Sequence, residues 1–243
     1  MPTYTARPLS PADGTWVKDD FVSNDSVADA AVGEMRWEWA AIGNGATLTY
    51  LTQQPHGVLR STTDGTADGD GSYLRTFTDG LVLEGFGGGI KTRVRIPAAA
   101  GNTLANNNFR IGVDDSVTIT DPTVGIWISC AAGVLSVQAD SADHGDATGS
   151  AAAVSTLTSG TTMVLDTWHT IEVNWTGANG NGGPRYVELI VDNEPAASIF
   201  SVIDNDEEVE CKIVHWVAGT NDTLELDIDY FEFWQNRETP EVA

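Results

Sequence analysis

The chain has 243 residues, 41% of them hydrophobic, with 12 Lys and Arg against 35 Asp and Glu, for a formal net charge of −23. That length and apolar content suit one large domain with a substantial core. So negative a chain repels phosphate backbones and anionic bilayers, which argues against nucleic-acid and membrane-surface partners, and no apolar run reaches the eighteen residues a spanning helix needs.

Residues 1–18 carry Pro2, Pro8 and Pro11 with few apolar anchors, and read as an extended N-terminal arm. Its Tyr4, Leu9 and Trp16 are the candidate contacts to a neighbouring subunit. The first residues have no cationic segment followed by an apolar one, so the expectation is a protein made and used without Sec export.

From Asp19 to residue 236 the pattern becomes short strands separated by Gly, Asn and Asp, with 237–243 left as a tail. The predicted strands are Met35–Ile42, Ala46–Thr52, Gly57–Thr62, Tyr73–Thr78, Leu81–Phe86, Ile90–Ile96, Asn108–Val113 and Val124–Cys130. They continue with Val134–Ala139, Met163–Leu165, Trp168–Trp175, Arg185–Asp192, Ala196–Val202, Glu210–Val217 and Leu224–Trp234. No stretch of ten residues has a 3.6 period, and Ala151–Val154 is too short to nucleate a helix. More than a dozen strands without helices predict two antiparallel sheets packed face to face, an all-β jelly-roll sandwich.

Asp64-Gly-Thr-Ala-Asp-Gly-Asp-Gly71 sets Asp64, Asp68 and Asp70 on a glycine-rich loop, a candidate Ca²⁺ site whose bland alternative is an acidic turn. Asp140–Asp146 is a second acidic loop of the same kind. Gly85-Phe-Gly-Gly-Gly89 lacks the following helix and Lys of a phosphate loop, and reads as a bulge or a tight strand crossing. Cys130 and Cys211 lie in apolar runs, either as a cross-core pair or as two buried thiols.

Asp166-Thr-Trp-His-Thr-Ile-Glu-Val-Asn-Trp175 and Arg185-Tyr-Val-Glu-Leu-Ile-Val-Asp-Asn193 both alternate at period two around a Gly/Asn-rich turn, Gly177 to Gly183. That is a long antiparallel hairpin with one buried face. Trp37, Trp39, Trp127, Trp168, Trp175 and Trp216 alternate with apolar neighbours and read as core, leaving Trp16 and Trp234 free to meet a partner.

The hairpin resembles the "DxWHxxxxxW … vxLyvDG" hairpin of the concanavalin A-like lectin/glucanase superfamily, which includes laminin-G-like domains and laminarinase-type hydrolases. Leu226-Asp-Ile-Asp-Tyr-Phe-Glu-Phe-Trp-Gln235 is similar to that superfamily's last strand, and Asp19-Asp-Phe-Val to its opening. The resemblance implies the fold, and the superfamily hosts enzymes, lectins and structural parts alike. It also points at Glu225, Asp227 and Asp229, which alternate on one strand and are similar to the carboxylate strand of the hydrolases. Against that reading, the hydrolase strand lies mid-chain, whereas this one closes the domain.

Three function classes remain. The first is a non-enzymatic structural protein of a virus particle, a phage capsid decoration (cement) or tail part. It would contact capsid or tail subunits, or further copies of itself as a homo-oligomer, through the sandwich and the arm. The second is a carbohydrate-binding, lectin-like module, and the third a glycoside hydrolase using Glu225, Asp227 and Asp229.

Overall fold

The structure, a computed structural model, describes residues 14–21, 32–33, 35–51, 57–76, 81–82, 87–99, 101–140, 155–156, 162–176, 184–202, 208–219 and 223–236. Its strands in chain order begin with β1 (Gly14–Asp19), β2 (Trp37–Ile42), β3 (Thr47–Tyr50), β4 (Leu59–Thr62), β5 (Gly71–Thr76), β6 (Leu81–Val82), β7 (Gly88–Arg95) and β8 (Asn107–Asp114). They continue with β9 (Gly125–Ala131), β10 (Val134–Asp140), β11 (Ser155–Thr156), β12 (His169–Trp175), β13 (Pro184–Val191), β14 (Glu194–Val202), β15 (Glu208–Val217) and β16 (Glu225–Asn236).

They form two antiparallel sheets, with no helix among the described residues. The first runs β14-β13-β12-β7-β16-β4-β3, with β1 added to β16, and the second runs β11-β10-β9-β8-β15-β5-β2, with β6 added to β15. Period-two alternation turns one face of each strand inward. Phe109, Ile111 and Val113 of β8 and Ile126, Ile128 and Cys130 of β9 thus meet Ile171, Val173 and Trp175 of β12 and Phe231 and Phe233 of β16 in one apolar core. This is the all-β sandwich that the strand pattern predicts.

Four expectations change, one being that Trp168 and Trp216, expected in the core, stand half-buried on the outer faces of the two sheets. Gly14–Asp19 is a strand of the sandwich, paired along β16, so these residues, expected in the arm, belong to the domain. Its Val17 packs against the core while Trp16 and Lys18 face out, an alternation hidden by the proline-rich residues before it. Met163–Leu165 forms no strand; only the preceding Thr162 bridges, to Val134. Trp234, expected to be free, is buried. Tyr4, Leu9 and the rest of 1–13, the 237–243 tail, and most of the second acidic loop (141–146) lie outside the described residues.

Tryptophan and glycine face each other across the ladders four times: Trp216 with Gly71, Trp127 with Gly112, Trp175 with Gly88 and Trp234 with Gly89. A Cβ on any of these glycines would collide with the indole or with the backbone of the tryptophan strand. The glycine-rich run ending at Gly89 is therefore a close crossing, with Trp175 on the inner side of β7 and Trp234 on the outer. Cys130 and Cys211 are both free thiols in the core, and burial pushes both up, Cys130 to about 12.

Gly112→Ala is expected to cost about 1–3 kcal/mol, because its Cβ would meet the Ile126 carbonyl and Trp127 at 2.5 Å, contacts that the fixed strands cannot relieve. Urea unfolding measures this, and an unchanged midpoint would mean that the β8–β9 ladder is looser than the structure has it.

Candidate functional site

β16 is bordered by β7 on one side and by β4 and β1 on the other. Leu226 and Ile228 point into the core, then a register shift between Ile228 and Tyr230 moves the inward set to Phe231 and Phe233. Glu225 and Asp227 consequently share the outer face, while Asp229 stands at the irregularity. The strand alternation alone, which put all three on one face, could not reveal this shift.

These carboxylates do not face water, as an acidic strand end would suggest. Asp227 is 0% exposed and is held from both sides. Arg60 of β4 reaches it at 2.6 and 3.0 Å, and Arg95 of β7 at 2.6 and 3.1 Å. Arg60 also meets Glu225 at 2.9 Å, and Arg93 meets Asp229 at 3.0 Å. The hydrogen bond to Asp227 holds the Arg60 pKa above its ordinary value, against the opposing effect of burial. Retaining glycoside hydrolysis needs one carboxyl as proton donor and another as nucleophile. Here each of the three is engaged by an arginine, and Asp227 has no path to solvent.

The outer face of this sheet continues as a charge ladder. In register across β12, β7, β16 and β1 stand Glu172, Lys91, Glu232 and Lys18, with Lys91 at 2.8 Å from Glu172. Trp168 lies against both Arg93 and Arg95, 5.0 and 4.9 Å from its ring centre. At the β1 border Trp16 is 51% exposed while its indole N–H donates to Glu232 at 2.6 Å. β1 pairs with β16 alone among the described strands, so no described strand lies along its other edge.

The candidate calcium ligands each serve a different stretch of backbone. Asp70 accepts from the Thr66 hydroxyl (2.8 Å), the Ala67 N–H (2.9 Å) and the Asn44 N–H (3.3 Å), and the Thr66 bond leads in holding its pKa below the ordinary value. Asp68 accepts from the Gly219 N–H at 2.8 Å, and Asp64 packs against Gly45. Among the described residues no three His, Cys, Asp or Glu side chains are grouped so as to hold a metal ion.

Sequence reasoning missed a polar cluster on the outer face of the second sheet. Arg110 and Asp114 of β8 and Lys212 of β15 point outward yet are buried, because residues 115–124 fold back over them as a strap. Arg110 donates to the carbonyls of Thr120 (2.7 Å), Ser116 (2.8 Å) and Thr118 (3.0 Å), and Lys212 donates to the Asp114 carbonyl at 2.8 Å. Burial raises the Asp114 carboxyl from 3.8 to about 6, against the pull of Arg110 and Lys212. The only sequence signal was charge inside apolar strands, in Phe109-Arg-Ile and Cys211-Lys-Ile. Beside the strap the same face carries Trp216 and Tyr73, half-buried, Trp216 between Gly71 and Asn108 and Tyr73 between Val214 and Ala40.

Solved structures place this fold. The carbohydrate recognition domain of Emp47p matches with a TM-score of 0.59 at 12% identity over 95% of this chain and 100% of that one. The endo-1,3-beta-glucanase of Streptomyces sioyaensis matches at 0.59 and 14%, over 95% and 99%. The carbohydrate esterase of Shiga toxin-encoding bacteriophage phi24B matches at 0.54 and 15%, over 92% and 100%. No family model and no curated protein matches the sequence. The fold is the concanavalin A-like jelly roll, shared by lectins and glycan-active enzymes.

Two outcomes are expected from this geometry. Asp227→Asn should lower stability by about 3 kcal/mol, because it strips the carboxylate from two arginines packed around it; a catalytic carboxylate replaced in this way would leave stability unchanged or raise it, and chemical denaturation separates the two. For Asp114, the folded state holds its proton more tightly than the unfolded chain between pH 3.8 and about 6. Its contribution to stability therefore falls as pH rises through that window. Wild type should gain on Asp114→Asn by on the order of 2–3 kcal/mol when melts at pH 7 and pH 4 are compared, and parallel curves would refute the shift.

Proposed function

We propose that this protein is a non-enzymatic structural component of a virus particle, a capsid-decorating or tail part that acts through protein–protein contacts. The observation that carries the reading is the state of the β16 carboxylates. The strand most like a catalytic one has each acid tied to an arginine, which leaves binding as its chemistry. The β1 edge along which no described strand lies, with Trp16 half-exposed beside it and residues 1–13 ahead of it, supports assembly by strand addition and aromatic packing against a neighbouring copy or a shell subunit. The acid excess supports a partner with a basic face. Calcium at Asp64, Asp68 and Asp70 stays outside the proposal, since Asp68 and Asp70 already accept from backbone N–H groups.

A second reading, a lectin-like module, is favoured by one observation: Tyr73 and Trp216 share one outer sheet face as diagonal neighbours, half-buried, with Gly71 beside Trp216 and Ala40 beside Tyr73, and aromatic faces stack on sugars.

Because Gly14–Asp19 belongs to the sandwich, the informative truncation is residues 1–13. Removing them should leave the melting temperature within about 2 °C of the full chain, while co-sedimentation with particles is lost. Trp16→Ala should weaken co-sedimentation without unfolding the domain. Truncated protein that still co-sediments would sink the assembly role.

A further inference from the structure

Phe200 is the most exposed large apolar side chain among the described residues, at 73%. It sits on β14, the edge strand of the first sheet, directly opposite Tyr186 of β13. Val187, Leu189 and Ile199 point into the core, so Tyr186 and Phe200 stand together on the outer face, ring centres 5.1 Å apart and planes tilted by 59°. The Tyr186 backbone is fixed on its other side, its N–H donating to the Thr176 hydroxyl at 3.0 Å and its carbonyl accepting from the Thr176 N–H at 2.9 Å. The platform is rigid.

The next rung on the same face reads Ser198, Glu188, Asn174. Glu188 is only 6% exposed, and no hydrogen bond or ion pair engages it among the described residues. This is out of keeping with the rest of the sheet, where Glu172, Glu232, Asp227 and Asp229 all have donors. The Glu188 carboxylate oxygens are not sealed off from solvent, so they stand open to hydroxyl or amide donors from outside. Asn174 and Ser198 flank it, and Asn174 is already oriented by its Nδ2 donating to Glu172 at 2.9 Å.

We propose that Tyr186, Phe200, Glu188, Asn174 and Ser198 form a binding site for a neutral saccharide on the outer face of the β13–β14 edge. A pyranose offers both halves of the required chemistry. Its C–H face carries the partial positive charge that aromatic faces attract, and its hydroxyls donate to the Glu188 carboxylate. The chain's −23 charge and the adjacent Glu172 disfavour uronates and other acidic sugars. The site lies on the opposite sheet from Tyr73 and Trp216, and depends on neither the assembly reading nor the lectin reading of that face.

The test is an NMR titration of the full chain with cellopentaose, laminaripentaose and mannopentaose as neutral probes and trigalacturonate as the acidic one. At least one neutral sugar should produce saturable shifts centred on Tyr186, Glu188 and Phe200, with trigalacturonate silent. Phe200→Ala should weaken that binding at least tenfold, Glu188→Gln several-fold, and Phe200→Trp should retain it; the exposure of Phe200 and the equal size of Glu and Gln keep the variants folded, which their melts check. Trp216→Ala should leave the binding unchanged. Silence from all three neutral sugars overturns the proposal. So does binding that survives Phe200→Ala and disappears in Trp216→Ala, which would move the saccharide to the other sheet.

Discussion

Asp227, held between Arg60 and Arg95, ties together three strands at the centre of the first sheet, and much else follows from it. A buried carboxylate is costly unless its lone pairs are met, and meeting them with two guanidinium groups fixes β4, β16 and β7 against one another. The chain has few cations to spend this way. Of its 12, Lys18, Arg60, Lys91, Arg93 and Arg95 stand on the outer face of the first sheet, and Arg75, Arg110 and Lys212 on that of the second. Concentrating bases where acids face one another in ladders brings the sheet faces near neutrality and leaves the excess of acid to loops, where water screens it.

The same kind of placement builds the hairpin whose pattern resembles the concanavalin A-like one. In Asp166-Thr-Trp-His169, the His169 Nδ1–H donates to Asp192 at 2.8 Å while its Nε2 accepts from the Val164 N–H at 3.1 Å. Asp192 also takes the Thr170 N–H at 2.9 Å and, with Asn193, turns the chain at positive φ. Trp168 lies over two arginines on the outer face, and Trp175 packs over Gly88 on the inner. Each motif residue has a task in building the hairpin. What the chain has in common with the solved lectin and glucanase structures is therefore a fold, and a fold does not by itself carry a chemistry.

Period-two alternation made the fold legible. Thirteen of the predicted strands after the arm coincide with a longer strand of four or more residues within a few positions, because one face of each had to be apolar. The failures have physical causes. β1 was hidden because its outward residues include Trp16, so the alternation of Val17 with Lys18 was masked by a second large apolar side chain. The register shift before Tyr230 leaves no trace in composition, so Asp229 read as a third member of a row it does not join. Arg110, Asp114 and Lys212 could not be recognised as buried, since their cover is a strap whose position depends on carbonyl bonds that no side-chain pattern encodes. Trp234 was misjudged for a related reason: its burial depends on a glycine more than a hundred residues away.

A β-sandwich offers two kinds of surface, and here they are used differently. Edges present backbone donors and acceptors in a row, which suit another strand whatever its side chains; faces present side chains at fixed spacing, which suit a ligand with matching chemistry. Most of the first sheet's outer face is closed to ligands by its own ion pairs, and part of the second is closed by the strap. That leaves the β1 edge for assembly under the proposed role. The aromatic positions where the ladders lapse, Tyr73 with Trp216 and Tyr186 with Phe200, are left for recognition. Glu188 gives the second of these its direction. Its neighbours on that face, Glu172 and Glu232, each accept from a partner, whereas the Glu188 oxygens are left to whatever donor reaches them from outside. A stacking ligand with hydroxyl donors would supply one, on the face where Phe200 stands exposed.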